Sequence, residues 1–246
     1  MYEKDVIVTT KYGAMPCFVA CPDGPGAAPA HPGIIFYMDA PGIREELRNM
    51  TRRIARHGYF AILPDMYYRL GSLRFDVHRR DDKMLQCMLA AMNSLTNAMV
   101  MDDTGGLLSY LDAQDKCKPG PVGCVGYCMS GQHITNAAAF FPHRIASAAS
   151  LYGVGIITDK EDSPHLLLDR LKGELYYAFA ETDRSVPPNI PGDLAKLLSK
   201  TNVKHDIKTF PGTEHGFAFP ERPVYNTLAA EETWDKMVAM WDRTLK

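Results

Sequence analysis

The stretch that most constrains the fold is VGCVGYCMSGQHI, residues 122–134. Small and apolar residues run to Tyr127, a cysteine follows at Cys128, and the residues from Gly131 onward read as a helix. A buried strand that passes directly into a helix belongs to a layered α/β sheet. Elsewhere the chain keeps up the alternation. GIIFYMD (33–39) and YFAILPD (59–65) read as strands around an amphipathic helix at 44–58. Two helices are expected within 82–113, broken around 102–106 by the Gly105–Gly106 pair. IASAASLYG, ELYYAFAE and KHDIKTF read as further strands, with helices at about 131–141, 193–199 and 225–245. VIVTT and PCFVAC fit an antiparallel hairpin at one edge, and PDGPGAAPAHPG (22–33) is a surface loop. The expected architecture is one α/β domain over 1–246, a mainly parallel sheet with helices on both faces. Ligands in such sheets collect beyond the carboxyl ends of the strands.

Composition bounds the function. The 246 residues are 46% hydrophobic and 23% charged with a formal charge of −2, enough for one large core and no footprint for nucleic acid. No run approaches the roughly 18 apolar residues of a membrane span, and MYEKDVIVTT lacks a signal-peptide core, so no membrane partner is expected. The six cysteines, Cys17, Cys21, Cys87, Cys117, Cys124 and Cys128, form no CxxC pair and read as reduced thiols of a cytoplasmic protein, monomeric or a small homo-oligomer.

Gly126-Tyr127-Cys128-Met129-Ser130 has the form of a nucleophile elbow, G-x-S-x-G, with cysteine for the central serine and Ser130 for the last glycine. The helix N-terminus favours a thiolate, and the N–H after the nucleophile can receive an oxyanion. Cys17, Cys87, Cys117 and Cys124 are expected to be inert thiols, Cys124 pointing into the core, and Ser130 lacks its own glycine pair. A nucleophile needs a base and the base an orienting acid. Asp183 follows a strand in ELYYAFAETDRSVPP, with Glu181 as its rival, and His215 lies in the Gly-flanked KHDIKTFPGTEHGF. The other histidines fall mostly in surface loops or helix ends, none with convincing metal-ligand spacing, so no metal is expected.

With GYCMSG, AETD, PGTEHGF, PDMYYR and SLYGVG in order, the chain resembles the dienelactone hydrolase family of α/β-hydrolases. The resemblance implies cleavage of a small ester or lactone substrate by a Cys128–Asp183–His215 triad, with no metal and no organic cofactor. It assigns the oxyanion hole to the backbone N–H groups of Met129 and Ala40. It also implies a thiol-modulating acid at Asp39, where the best-studied members carry glutamate. A family arginine that grips a substrate carboxylate is replaced by Phe219, with Arg222 three residues on. Arg69, Arg74, Arg79 and Arg80 compete for a second such position, and Tyr152, Phe219, Arg222 and Arg80 are the candidate substrate contacts. Tyr67, Tyr68, Tyr152, Phe217 and Phe219 suggest a partly aromatic acyl pocket. The short segment ITDKEDSPHLLLDRLKG leaves no room for a large lid. A redox-sensing thiol protein and a non-catalytic α/β-hydrolase-like binding protein are the alternatives.

Overall fold

The computed structural model describes residues 1–78 and 81–246. Their contacts group into two compact units, Met1–Val122 and Gly123–Lys246.

In the first unit, β1 (Tyr2–Thr10) and β2 (Gly13–Cys21) form the expected antiparallel hairpin. Strand β2 pairs antiparallel with β4 (Phe60–Pro64), and β4 runs parallel to β3 (Gly33–Tyr37), giving the order β1-β2-β4-β3. Both β3 and β4 are buried throughout, as continuous apolar runs require. Helix α1 (Glu45–Arg56) buries Leu47, Met50, Thr51, Ile54 and Ala55, one stripe at helical spacing. Its first turn carries Glu45 and Glu46 and its last Arg53 and Arg56, each sign complementing the helix dipole.

Helix α2 (Asp82–Asn93) and helix α3 (Asn97–Asp112) fill the next stretch, and here the expected break moves. It falls between residues 93 and 97, where the Thr96 side chain accepts from the Met99 N–H and caps α3. Gly105 and Gly106 lie inside α3. A Cβ on Gly106 would stand 3.0 Å from the Thr9 carbonyl oxygen, so this glycine serves close approach to the hairpin, not a break. Cys87 departs from the expected inert burial as well: it is exposed on α2.

The second unit holds β5 (Val122–Tyr127) from Gly123 onward, then β6 (Ile145–Leu151), β7 (Glu174–Thr182) and β8 (His205–Glu214), in that order. β6, β7 and β8 run parallel. A turn of 3-10 helix at Cys128–Ser130 leads from β5 into α4 (Gly131–Phe140), which packs on β6. Helix α5 (Ile190–Leu198) packs on β8, and α6 (Thr227–Leu245) on β6 and β7. Pro191 in the first turn starts α5 earlier than the apolar pattern suggests. His133 is not a surface histidine: it is buried in α4, where burial pulls its imidazole down to about 3.

Candidate active site

The second unit gathers Cys128, Asp183 and His215. Cys128 follows β5 with φ +53°, one of two non-glycine residues with positive φ among the described residues. That strained backbone is what an exposed nucleophile at a strand-to-helix turn requires. The flanking small residues explain how the turn closes. A Cβ on Gly126 would lie 2.6 Å from Ile134 and 2.8 Å from the Ser130 carbonyl oxygen. One on Gly131 would lie 2.3 Å from the Gly153 Cα. The second glycine of the elbow is therefore Gly131, one position later than the motif, and Ser130 is fully buried.

Asp183 and His215 follow β7 and β8. The β7–β8 register shifts between Ala180 and Thr182, which pair with Phe210 and Glu214. Three residues, Pro211 to Thr213, stand against Glu181 alone and form a bulge with Gly212 at φ +66°. Bulges re-aim the side chains that follow. The Glu181 carboxylate holds this one by accepting from the Gly212 N–H at 2.9 Å, and Thr213 Oγ1 donates to the Phe210 carbonyl at 2.7 Å. Beyond it, His215 Nδ1 lies 2.7 Å from Asp183 Oδ2, while Asp183 Oδ1 accepts from the N–H groups of Ser185 and Val186 at 2.8 and 3.2 Å.

The Asp183 side chain is 5% exposed and that of His215 19%. Burial alone would lower the imidazole. The hydrogen bond to Asp183 and the influence of the Cys128 side chain, with their charges, outweigh it and raise His215 to about 9. Cys124 lies buried in β5, and burial pushes its thiol up, away from reactivity.

Tyr152 and Phe219 are fully buried. The Phe219 ring packs on Tyr127 and Tyr152, with centroids 5.1 and 6.0 Å apart, and carries the Arg222 guanidinium 4.7 Å from its centre. Arg222 also folds over the loop after His215, its Nη1 3.0 Å from where a Cβ on Gly216 would sit.

In the first unit, Asp39 is buried and forked by Arg44, with Nη1–Oδ1 2.6 Å and Nη2–Oδ2 3.2 Å, and Arg44 also holds Glu46. The sequence reading missed this pair, although Arg44 stands only five residues away. The Ala40 carbonyl accepts from the Tyr67 hydroxyl at 2.8 Å. Among the competing arginines, Arg69 pairs with Asp103 and stacks on Tyr12 and Tyr68, and Arg74 pairs with Asp65. Arg79 and Arg80 lie outside the described residues. No helix among the described residues is long and apolar enough to cross a membrane.

Residues 15–245 match the dienelactone hydrolase family. A Synechocystis protein named "Putative carboxymethylenebutenolidase" is 28% identical over 225 residues, covering 90% of each chain. The crystal structure of a Klebsiella pneumoniae protein named "Putative Dienelactone Hydrolase" superposes with a TM-score of 0.85 at 22% identity, covering 98% of both chains. A dienelactone hydrolase-like promiscuous phosphotriesterase from metagenomic libraries gives a TM-score of 0.81 at 16% identity, covering 100% of this chain and 99% of its own. The fold is that of the α/β-hydrolases, and the chain belongs to the dienelactone hydrolase family, hydrolases of esters and lactones.

Proposed function

We propose that the protein hydrolyses a small ester or lactone through a Cys128–Asp183–His215 triad and a thioester acyl-enzyme. One observation carries the reading: a single imidazole, bonded at 2.7 Å to a buried carboxylate, is raised to about 9 by that carboxylate together with the Cys128 side chain at the positive-φ elbow. Asp183 takes Nδ1, so Nε2 serves the thiol. Nε2 takes the thiol's proton as the sulfur attacks, and Asp183 balances the imidazolium that forms. Attack on the ester carbon builds an oxyanion. The Met129 N–H receives it, with the Ala40 N–H as the second donor on the family pattern, each such donor contributing about 3–4 kcal/mol.

The imidazolium then protonates the leaving alkoxide. That transfer leaves the imidazole neutral. It can then act as the base that activates water for deacylation. One histidine serves as acid and then as base because it gives up its proton to the leaving group between the steps. On the same pattern Asp39 is proposed as the acid that modulates the thiol, within the grip of Arg44.

Asp183→Asn should lower kcat by about four powers of ten by reversing the imidazole tautomer, while Glu181→Gln, which only loosens the bulge, should cost less than about tenfold. A larger loss in Glu181→Gln would reverse the assignment of the acid. Stability should follow the same pair. A histidine raised from 6.5 to about 9 favours the folded state fully below pH 6.5, and that contribution is lost as pH rises through 9. Thermal melts from pH 6 to 10 should show this decline, and a shallower one in Asp183→Asn. Equal declines would mean that Asp183 is not its cause.

The substrate proposed is neutral and compact. Phe219 stands where an arginine would grip a carboxylate, and the Arg222 guanidinium is engaged on the Phe219 ring. Losing one charged grip of about 1.5–3 kcal/mol lowers specificity for an anionic lactone by about one to two powers of ten. The ratio of kcat/KM for dienelactone to that for a neutral lactone of similar size should therefore not exceed about one. A strong preference for dienelactone, lost in Arg222→Ala, would show that Arg222 supplies the missing grip.

A further inference from the structure

We propose that the turn after β6, Tyr152 to Val154, is a positioning element that fixes the Cys128 backbone and the plane of the His215 imidazole together. The proposal rests on the reading of these two residues as nucleophile and base. Strand β6 ends at Leu151, and Tyr152 then takes φ +40°, the other positive-φ residue among the described residues that is not glycine. A bulky aromatic persists in that region only where its surroundings over-determine it.

They do so here on three sides. The Tyr152 N–H donates to the Ala178 carbonyl of β7 at 2.6 Å. The ring stands edge-to-face with His215 at 5.0 Å and 62°, and with Phe217 at 5.3 Å and 67°. Two residues on, the Val154 N–H donates to the Cys128 carbonyl at 2.9 Å, so one strained turn holds the other. Gly153 between them makes the approach possible: a Cβ there would lie 2.1 Å from Ser150 Oγ and 2.6 Å from the Gly131 Cα.

The consequence for the base is geometric. The bond from His215 Nδ1 to Asp183 fixes one edge of the imidazole but permits the ring to tilt about that bond. The Tyr152 ring opposes the tilt, which keeps Nε2 aimed at the sulfur. Tyr152 thus acts through its ring on another residue, without touching the reacting atoms.

Tyr152→Leu removes the ring and keeps an apolar side chain, and Tyr152→Phe keeps the ring. In folded protein, Tyr152→Leu should lower kcat for p-nitrophenyl acetate by roughly 10- to 30-fold with little change in KM. Alkylation of Cys128 by iodoacetamide should slow in parallel, whereas mere loosening of the site would leave it equal or faster. Tyr152→Phe should keep kcat within about threefold of the parent.

The proposal is overturned if Tyr152→Leu leaves both rates nearly unchanged, if alkylation rises while kcat falls, or if Phe costs as much as Leu. Should the Leu variant fail to fold, the Phe variant decides: retained kcat supports the ring, and a loss beyond about tenfold overturns it. Cys128→Ala with retained turnover would defeat the nucleophile reading itself. A silent Tyr152→Leu beside an inactive Cys128→Ala would defeat only the positioning role.

Discussion

Cys128→Ala is expected to lower ester turnover by about four to six powers of ten while leaving the fold intact. The sulfur is the attacking atom of the proposed reaction, and no neighbour can replace it. Ser130 is fully buried in the 3-10 turn, and Cys124 is buried in β5 with its thiol pushed up by desolvation. The substitution removes one atom from a half-buried site, so the melting temperature should change little. Cys124→Ala should do the opposite, costing about 1 kcal/mol of stability through a small cavity and nothing in rate. Steady-state turnover and thermal melts of the two variants separate these roles. Retained turnover in Cys128→Ala would end the proposal.

Gly131→Ala should be the most damaging change that adds a single methyl. The new Cβ would stand 2.3 Å from the Gly153 Cα, 2.8 Å from its carbonyl carbon and 2.9 Å from Ser150 Oγ. Two of these are backbone atoms of the turn that holds the Cys128 carbonyl, so the elbow and that turn must separate. Overpacking of this kind costs about 3 kcal/mol, or roughly 6–12 °C in a chain of this length. A displacement of about 1 Å at the proposed nucleophile, Cys128, would also lower kcat by about 100-fold. Gly192→Ala is the matched control, since its Cβ would meet nothing within 4 Å in helix α5. It should leave activity unchanged and stabilise by about 0.5–1 kcal/mol through helix propensity. Equal melting temperatures for the two variants would show that the glycine contact is not tight.

What was legible in the sequence follows from range. The elbow is local: Gly126, Cys128 and the helix after them state strand, turn and helix, with a thiol at the turn, within a few residues. The β1–β2 hairpin and the fully apolar β3 and β4 are legible for the same reason. Features that depend on distant partners were not. Gly105–Gly106 reads as a break until Thr9 is seen across from it. Pro211–Gly212–Thr213 reads as the start of a loop, because the bulge exists only against Ala180 and Thr182. Asp39 and Arg44 read as an acid and a helix start, and only a turn of the chain closes them into a fork. Gly153 shows no special demand until Gly131 is placed against it. Cys87 follows the average behaviour of cysteine in sequence, yet α2 buries only Ala91 and leaves that thiol outside.

The most direct test of the account is to trap the covalent intermediate. The protein would be mixed with p-nitrophenyl acetate, quenched in acid within the first turnover, digested and mapped by mass spectrometry. The account predicts one acetyl group, on the peptide containing Cys128, labile to neutral hydroxylamine as a thioester is, and absent from Cys128→Ala. An acetyl group on Ser130, or full turnover with no acyl-enzyme and undiminished activity after Cys128 is alkylated, would contradict it.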